Sequence, residues 1–294
     1  MKYTKPPLSF EKQADLLIDR GLIADKDVLV ARLKSVNYYR LSGYLHPFKL
    51  PDDSFKAGTT LDMVWQNYCF DRQLRLLIID VIERFEIALK TDITYILSHT
   101  HGAFGYLDVI NFPFLSNDEY TKLIENIQNE TMRSKEVFVK HFFKKYGDQH
   151  KFLPLWMAAE VFSLGTVHTV YKGIPLSIKQ QISKKYNISP KVLTSWIHTI
   201  QVVRNICAHH GRIYNRTLGV SSIIPKKNSD WHTPFTINND KIFSVLSILK
   251  YLLDIIAPQS NWKNRLIKLI DENNMIPLNV MGFSKDWENH LIWK

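Results

Sequence analysis

Residues 71–90, DRQLRLLIIDVIERFEIALK, decide how the chain must fold. Apolar side chains Leu74, Leu77, Ile78, Val81, Phe85 and Ala88 recur at spacings of three and four, and Ile96 extends the series. That period belongs to one face of an α-helix and not to a strand, which would alternate every second residue. Upstream, Thr59-Thr60-Leu61-Asp62 supplies a helix-start signal, because a threonine hydroxyl can accept the unpaired N–H groups of a first turn. The spacing therefore predicts one very long helix from about residue 60 to about Ser98. A chain organised around such a helix is all-α.

The flanking sequence agrees. Ser9 can cap a helix ending at Asp19 before Gly21, and a second helix is expected over 26–36. Asn37–Phe48 (NYYRLSGYLHPF) is aromatic-rich and interrupted by Gly43 and Pro47, so it is expected as a packed loop. Shorter helices are expected at 119–129, 135–146, 154–162, 166–171 and 176–186. Ser189-Pro190 is a cap followed by proline at the first helical position. The helix it opens buries Leu193, Trp196, Ile197, Ile200, Val203 and Cys207 and is expected to end near Gly211. Two further amphipathic helices are expected at 241–256 and 262–273. Three regions follow: 1–58, helical with the aromatic loop; 59–257, the main helical domain; and 258–294, a final helix and tail.

The chain has 294 residues, 45% of them hydrophobic and 22% charged, which is ordinary for a globular protein with a sizeable core. No apolar run is long enough to span a bilayer, and the first residues lack the apolar stretch of a signal peptide. With only two cysteines, Cys69 and Cys207, no disulfide framework is implied. A cytoplasmic protein without membrane contact is expected. The net charge of +10 favours a polyanionic partner, nucleic acid being the commonest.

The cluster that could act on such a partner is Arg204-Asn205-Ile206-Cys207-Ala208-His209-His210. At about 100° per residue, Thr194, His198, Gln201, Asn205 and His209 share one polar helix face, with Arg204 on its flank and His210 about 100° further round. Arginine neutralises phosphate at any cellular pH, and histidine titrates near neutrality and can move a proton. The same residues near a helix C-terminus can instead just complement the helix dipole and bond its last carbonyls. His198 stands about 16 Å along the axis from His209 and is set aside as a polar residue or an RNA contact. His99-x-His101 and His209-His210 lack the paired spacing with a carboxylate that helical zinc sites use, so neither a metal nor another cofactor is expected.

Arg204-Asn205-x-x-x-His209 resembles the R-x4-6-H signature of HEPN-domain ribonucleases. The chain is similar, in order, to Abi-like proteins of bacterial abortive-infection systems (the AbiD/AbiF group) over Asn37–Phe48, Asp71–Lys90, Leu155–Gly165 and Arg204–Arg216 (RNICAHHGRIYNR). The resemblance implies a HEPN-like helical bundle, commonly a homodimer whose two Arg/His motifs face one RNA cleft. It also implies metal-independent RNA cleavage in phage defence, and in some members association with a small non-coding RNA.

On that reading the expected catalytic set is Arg204, Asn205 and His209, with His210 as a second imidazole. Glu83 and Glu86 are candidates to fix the His209 tautomer or to pair with Arg204; the alternative for Glu83 is a surface ion pair. Arg212, Tyr214, Asn215 and Arg216 leave the motif helix directly, a position that favours RNA contact over burial. Tyr39 and Arg40, with Tyr38 and Tyr44, either stack bases or pack the aromatic loop. Two other functions fit the same sequence: a non-catalytic RNA-binding module of this fold, and, ranked below it, a DNA-binding regulator using the N-terminal helix pair.

Overall fold

A helix of 41 residues, Leu61–His101, runs through the centre of the molecule. At 1.5 Å per residue it is about 60 Å long. A computed structural model describes Lys2, Thr4 and residues 6–294; Met1, Tyr3 and Lys5 of the N-terminal stretch lie outside the described residues. Twelve α-helices are present among them: α1 (Phe10–Asp19), α2 (Lys26–Val36), α3 (Tyr38–Leu45), α4 (Leu61–His101), α5 (Asn117–Arg133), α6 (Val137–Tyr146), α7 (Leu155–Val161), α8 (Leu164–Gly173), α9 (Leu176–Lys185), α10 (Pro190–Ala208), α11 (Ile242–Ile256) and α12 (Trp262–Asp271). The fold is all-α. The only β-type pairings among the described residues are two isolated bridges, Ile23 with Thr60 and Lys49 with Phe55.

The predicted caps are used. Ser9, Thr60 and Ser189 accept from the backbone N–H groups of Lys12, Met63 and Val192. The long helix stops where Gly102 takes φ 78°, three residues beyond the expected end. Its buried stripe includes Leu74, Leu77, Ile78, Val81 and Phe85 and continues through Leu89, Ile93 and Leu97. Against this stripe pack α3 and α7 to α12, so α4 is the element the others share.

The segment 37–48 is not a loop. It forms α3 and a 3-10 turn, His46–Phe48. Asn37, at φ 65°, ends α2 and caps α3 by accepting from the Tyr39 N–H. Local capping and the packing of Leu41, Tyr44 and Leu45 outweigh the cost of Gly43 inside the helix, about 1 kcal/mol. The C-terminal residues join the same core. The Trp262 indole donates to the Leu77 carbonyl of α4 at 2.8 Å, and Trp293 donates to Ser247 of α11 at 2.8 Å.

The faces of α4 give a direct stability test. Phe85 is fully buried, and Phe85→Ala should cost about 3–5 kcal/mol. Leu76, 57% exposed on the same helix, should change stability by less than about 0.5 kcal/mol when replaced by alanine. Urea denaturation of the two variants measures the contrast.

Candidate functional site

Helix α10 is positioned by its apolar side. Val192, Leu193, Trp196, Ile197, Ile200, Val203 and Cys207 are buried, facing α4, α8, α9 and α11. Asn205 and His209 lie on the opposite side, with Arg204 at the edge of the apolar stripe. Asn205 is exposed and Arg204 half-buried, with an Arg204 guanidinium N–H 3.5 Å from Asn205 Oδ1. The helix ends at Ala208, earlier than expected, and His209 is its C-cap residue, with a backbone N–H still bonded to the Asn205 carbonyl at 3.0 Å. Both His209 and His210 are exposed.

The terminus is a Schellman motif. The Gly211 N–H bonds the Ile206 carbonyl at 2.7 Å, and the His210 N–H bonds the Cys207 carbonyl at 3.0 Å. Such a motif needs a left-handed residue, usually glycine, and here His210 fills it at φ 56°. Gly211 sits tightly against the last turn: a Cβ there would lie 3.0 Å from Ile206 Cγ2 and 3.1 Å from the Ile206 carbonyl oxygen, so Ile206 would have to give slightly. A histidine in the left-handed region costs about 1–2 kcal/mol. The cost is met by two contacts: Arg40 of α3 donates to the His210 carbonyl at 2.6 Å, and Arg75 of α4 donates to the Gly211 carbonyl at 3.3 Å.

Arg75 belongs to a buried network that the sequence reading missed. Asp71 is fully buried and Arg75 is 5% exposed, and the two form an ion pair one turn apart on α4. Asp71 also accepts from the Tyr44 hydroxyl at 2.5 Å and from the N–H groups of Ile213 at 3.1 Å and Tyr214 at 2.7 Å. One carboxylate thus joins α3, α4 and the segment leaving the motif. Burial, reinforced by the Asp71 charge, pushes the Tyr44 hydroxyl up and keeps it a donor. For Arg75, burial opposes the charge, but Asp71 and Tyr44 outweigh it and the net direction is up. The available signal was the register: Asp71 lies three residues before Leu74 and seven before Ile78, and Arg75 three before Ile78, which puts both on the apolar stripe.

The result is a cleft of about 490 Å³ between α3 and the α10 terminus. Tyr39, Arg40, His209, His210 and Arg212 line it, and its lining contains no carboxylate. Arg212 lies across α3 at Gly43. Tyr39 is 77% exposed, whereas Tyr44, from the same segment, is core. Arg204 and Asn205 are not in its lining.

Three expectations need correction. Tyr214 is buried, not surface-exposed, because Asp71 draws the backbone of 213–214 inward. Asn215 is half-buried and Arg216 exposed. Glu86 pairs with Lys90 at 3.0 Å and not with Arg204. Glu83 is exposed, and its neighbour Arg84 pairs with Asp80 at 3.0 Å. Along α4, Glu83 and Glu86 lie about 18 and 22 Å beyond Asp71, away from the cleft. Among the described residues, no group of three or more His, Cys, Asp or Glu is arranged to hold a metal, and no helix is long and apolar enough to cross a membrane.

Three measurements test this architecture. Removing one member of a buried ion pair strands the other, so Asp71→Ala should cost about 3–5 kcal/mol. His210→Gly relieves the left-handed residue and should raise stability by about 1 kcal/mol in the same denaturation assay. Burial pushes the Cys207 thiol up to about 12. Native protein at pH 8 should therefore leave Cys207 unalkylated by iodoacetamide, with modification appearing only on unfolding, as read by peptide mass spectrometry.

Comparison with curated proteins and with solved structures gives no significant match. A family model described as Abi-like protein matches residues 31–215, more than half of the chain. The match includes α3, α4, the motif end of α10 and the segment that Asp71 holds, and on this basis the chain belongs to the Abi-like protein family.

Proposed function

We propose that the protein is a metal-independent endoribonuclease of the HEPN type, acting in the cytoplasm in abortive-infection defence against phage. The observation that carries the reading is the cleft at the α10 terminus: two exposed imidazoles and two arginines around a space with no carboxylate in its lining. A phosphodiester would meet positive charge and proton-transfer groups there, with no competing anion.

RNA supplies its own nucleophile. The 2′-oxygen attacks the adjacent phosphorus, the 2′-OH proton passes to a base, and the bond from phosphorus to the 5′-oxygen breaks as that oxygen receives a proton. The products are a 2′,3′-cyclic phosphate and a 5′-hydroxyl. His209 is suited to one proton transfer. The other falls to His210 or to His209 of a second copy in a homodimer. Arg204, outside the cleft lining, reaches round the helix end to neutralise charge on the phosphorane, and Asn205 orients the phosphate or the His209 ring. Tyr39, Arg40 and Arg212 hold the flanking nucleotides by stacking and charge. A small non-coding RNA occupying the same cleft would hold the enzyme in check.

Total cellular RNA incubated in EDTA with the unmodified protein, Arg204→Ala and His209→Ala tests the reading. Cleavage should occur with the unmodified protein and fall by about 10²–10⁴-fold in His209→Ala. RNA binding by all three proteins with cleavage by none would make the protein a non-catalytic RNA-binding module.

A further inference from the structure

The polar face of α10 does not end at the motif. Lys191 and His209 are eighteen residues apart, which is five full turns, so they stand on the same side of the helix about 27 Å from each other. Between them on that side lie Thr194, His198, Gln201 and Asn205. His198 and Asn205 are exposed, and Thr194 and Gln201 are half-buried. The His198 ring stacks on His168 of α8, with centroids 5.2 Å apart and planes at 11°. An exposed ring backed by a half-buried one is a fixed aromatic platform halfway along the face.

At the Lys191 end the face opens into a groove of about 980 Å³. Lys191, Lys226 and Lys227 line it over a floor that includes Val192 and Ile224, and Asp230 is its one acidic lining residue. None of the three lysines is in a salt bridge among the described residues. The loop carrying two of them is fastened to α10. Trp196 donates to the Ile223 carbonyl at 2.8 Å, and the Ile223 N–H bonds Ser195 Oγ at 3.0 Å. Lys191 on α10, and Lys226 and Lys227 on the loop that Ile223 ties to it, therefore place three cations at the end of the helix opposite the imidazoles.

We propose that a single-stranded RNA lies along α10, with its phosphates in the lysine groove, a base stacked on the His198–His168 pair, and its scissile end at His209. This rests on the reading of the protein as an RNA-cutting enzyme, and adds that the substrate is an unpaired strand long enough to reach the far end of the helix. Unstacked bases can use a platform that paired bases cannot, and lysines spaced along a groove follow a backbone without reading sequence.

The test is binding, not cleavage. The probes are fluorescent oligouridylates of about four and about twenty nucleotides, only the longer of which spans the track. The protein is the full chain carrying His209→Ala, compared with the same chain also carrying Lys226→Glu and Lys227→Glu. Charge reversal should weaken the long oligonucleotide at least about tenfold and flatten its log–log salt slope by about 1.4. The short one should change less than about twofold in the same comparison. Lys144→Glu with Lys145→Glu, an equal charge change on α6, should keep the long-oligonucleotide affinity within about twofold, which excludes a net-charge effect. The track is overturned by equal weakening at both lengths, by no weakening, by absence of long-oligonucleotide binding, or by a changed oligomeric state with RNA affinity intact. Cleavage by the unmodified protein in EDTA is scored separately, so loss of the ribonuclease reading and loss of the track are distinguishable.

Discussion

The Asp71 carboxylate is the interaction on which the site depends. A buried anion is tolerated only when its lone pairs are filled, and here they meet one guanidinium, one phenol and two backbone N–H groups. Each donor comes from a part of the chain that has to be in register: Arg75 from the same helix, Tyr44 from α3, and Ile213 and Tyr214 from the segment after the motif. Moving any one of them exposes the charge or strands it. An apolar contact would hold the same elements together, but it is non-directional and would tolerate sliding. The network fixes the exit path of the chain from α10, and with it the position of His209 and His210 over α3.

The strained cap shows the same economy. Glycine at position 210 would close the Schellman motif without cost, yet the chain places an imidazole there and a glycine one residue later. Left-handed non-glycine residues persist where the surroundings over-determine them. Arg40 and Arg75 do so here, by bonding the carbonyls of residues 210 and 211. Arg40, which lines the cleft, thereby combines a structural bond with positive charge there, whereas the charge of Arg75 is balanced by Asp71.

Much of this was legible in the sequence. The α4 periodicity, the Ser9, Thr60 and Ser189 caps and the apolar stripe of α10 follow from spacing and cap chemistry, which are local. Segment 37–48 was misread because Gly43 and Pro47 are breakers only when nothing else is at stake. Tertiary burial of Leu41, Tyr44 and Leu45 made the helix worthwhile, and Pro47 fell just past its end, inside the 3-10 turn. Asp71 and Arg75 escaped notice because i, i+4 pairs of opposite charge are common on solvated helix faces. Their register was readable all the same, because Asp71 lies seven residues before Ile78 and Arg75 three before it, on the apolar stripe. Glu83 and Glu86 failed for the complementary reason. Their segment was recognised, but which side of a helix faces the cleft is set by partners 120 or more residues away.

The motif residues themselves divide along the same line. Asn205 and His209 lie on one face by periodicity, and because the non-helical ψ of 15° at His209 turns only the chain that follows it, the side chain keeps that relation. Arg204 is one residue earlier and so stands about 140° round from His209. A single α10 terminus therefore presents its imidazoles toward α3 and its arginine toward a neighbouring sector. An RNA that touches both has to wrap the end of the helix, not lie flat in the cleft. If the protein acts on RNA as proposed, that requirement constrains the substrate more than the identity of any one residue does. A rigid duplex cannot follow so tight a path around a helix about 10 Å wide, whereas a flexible strand can.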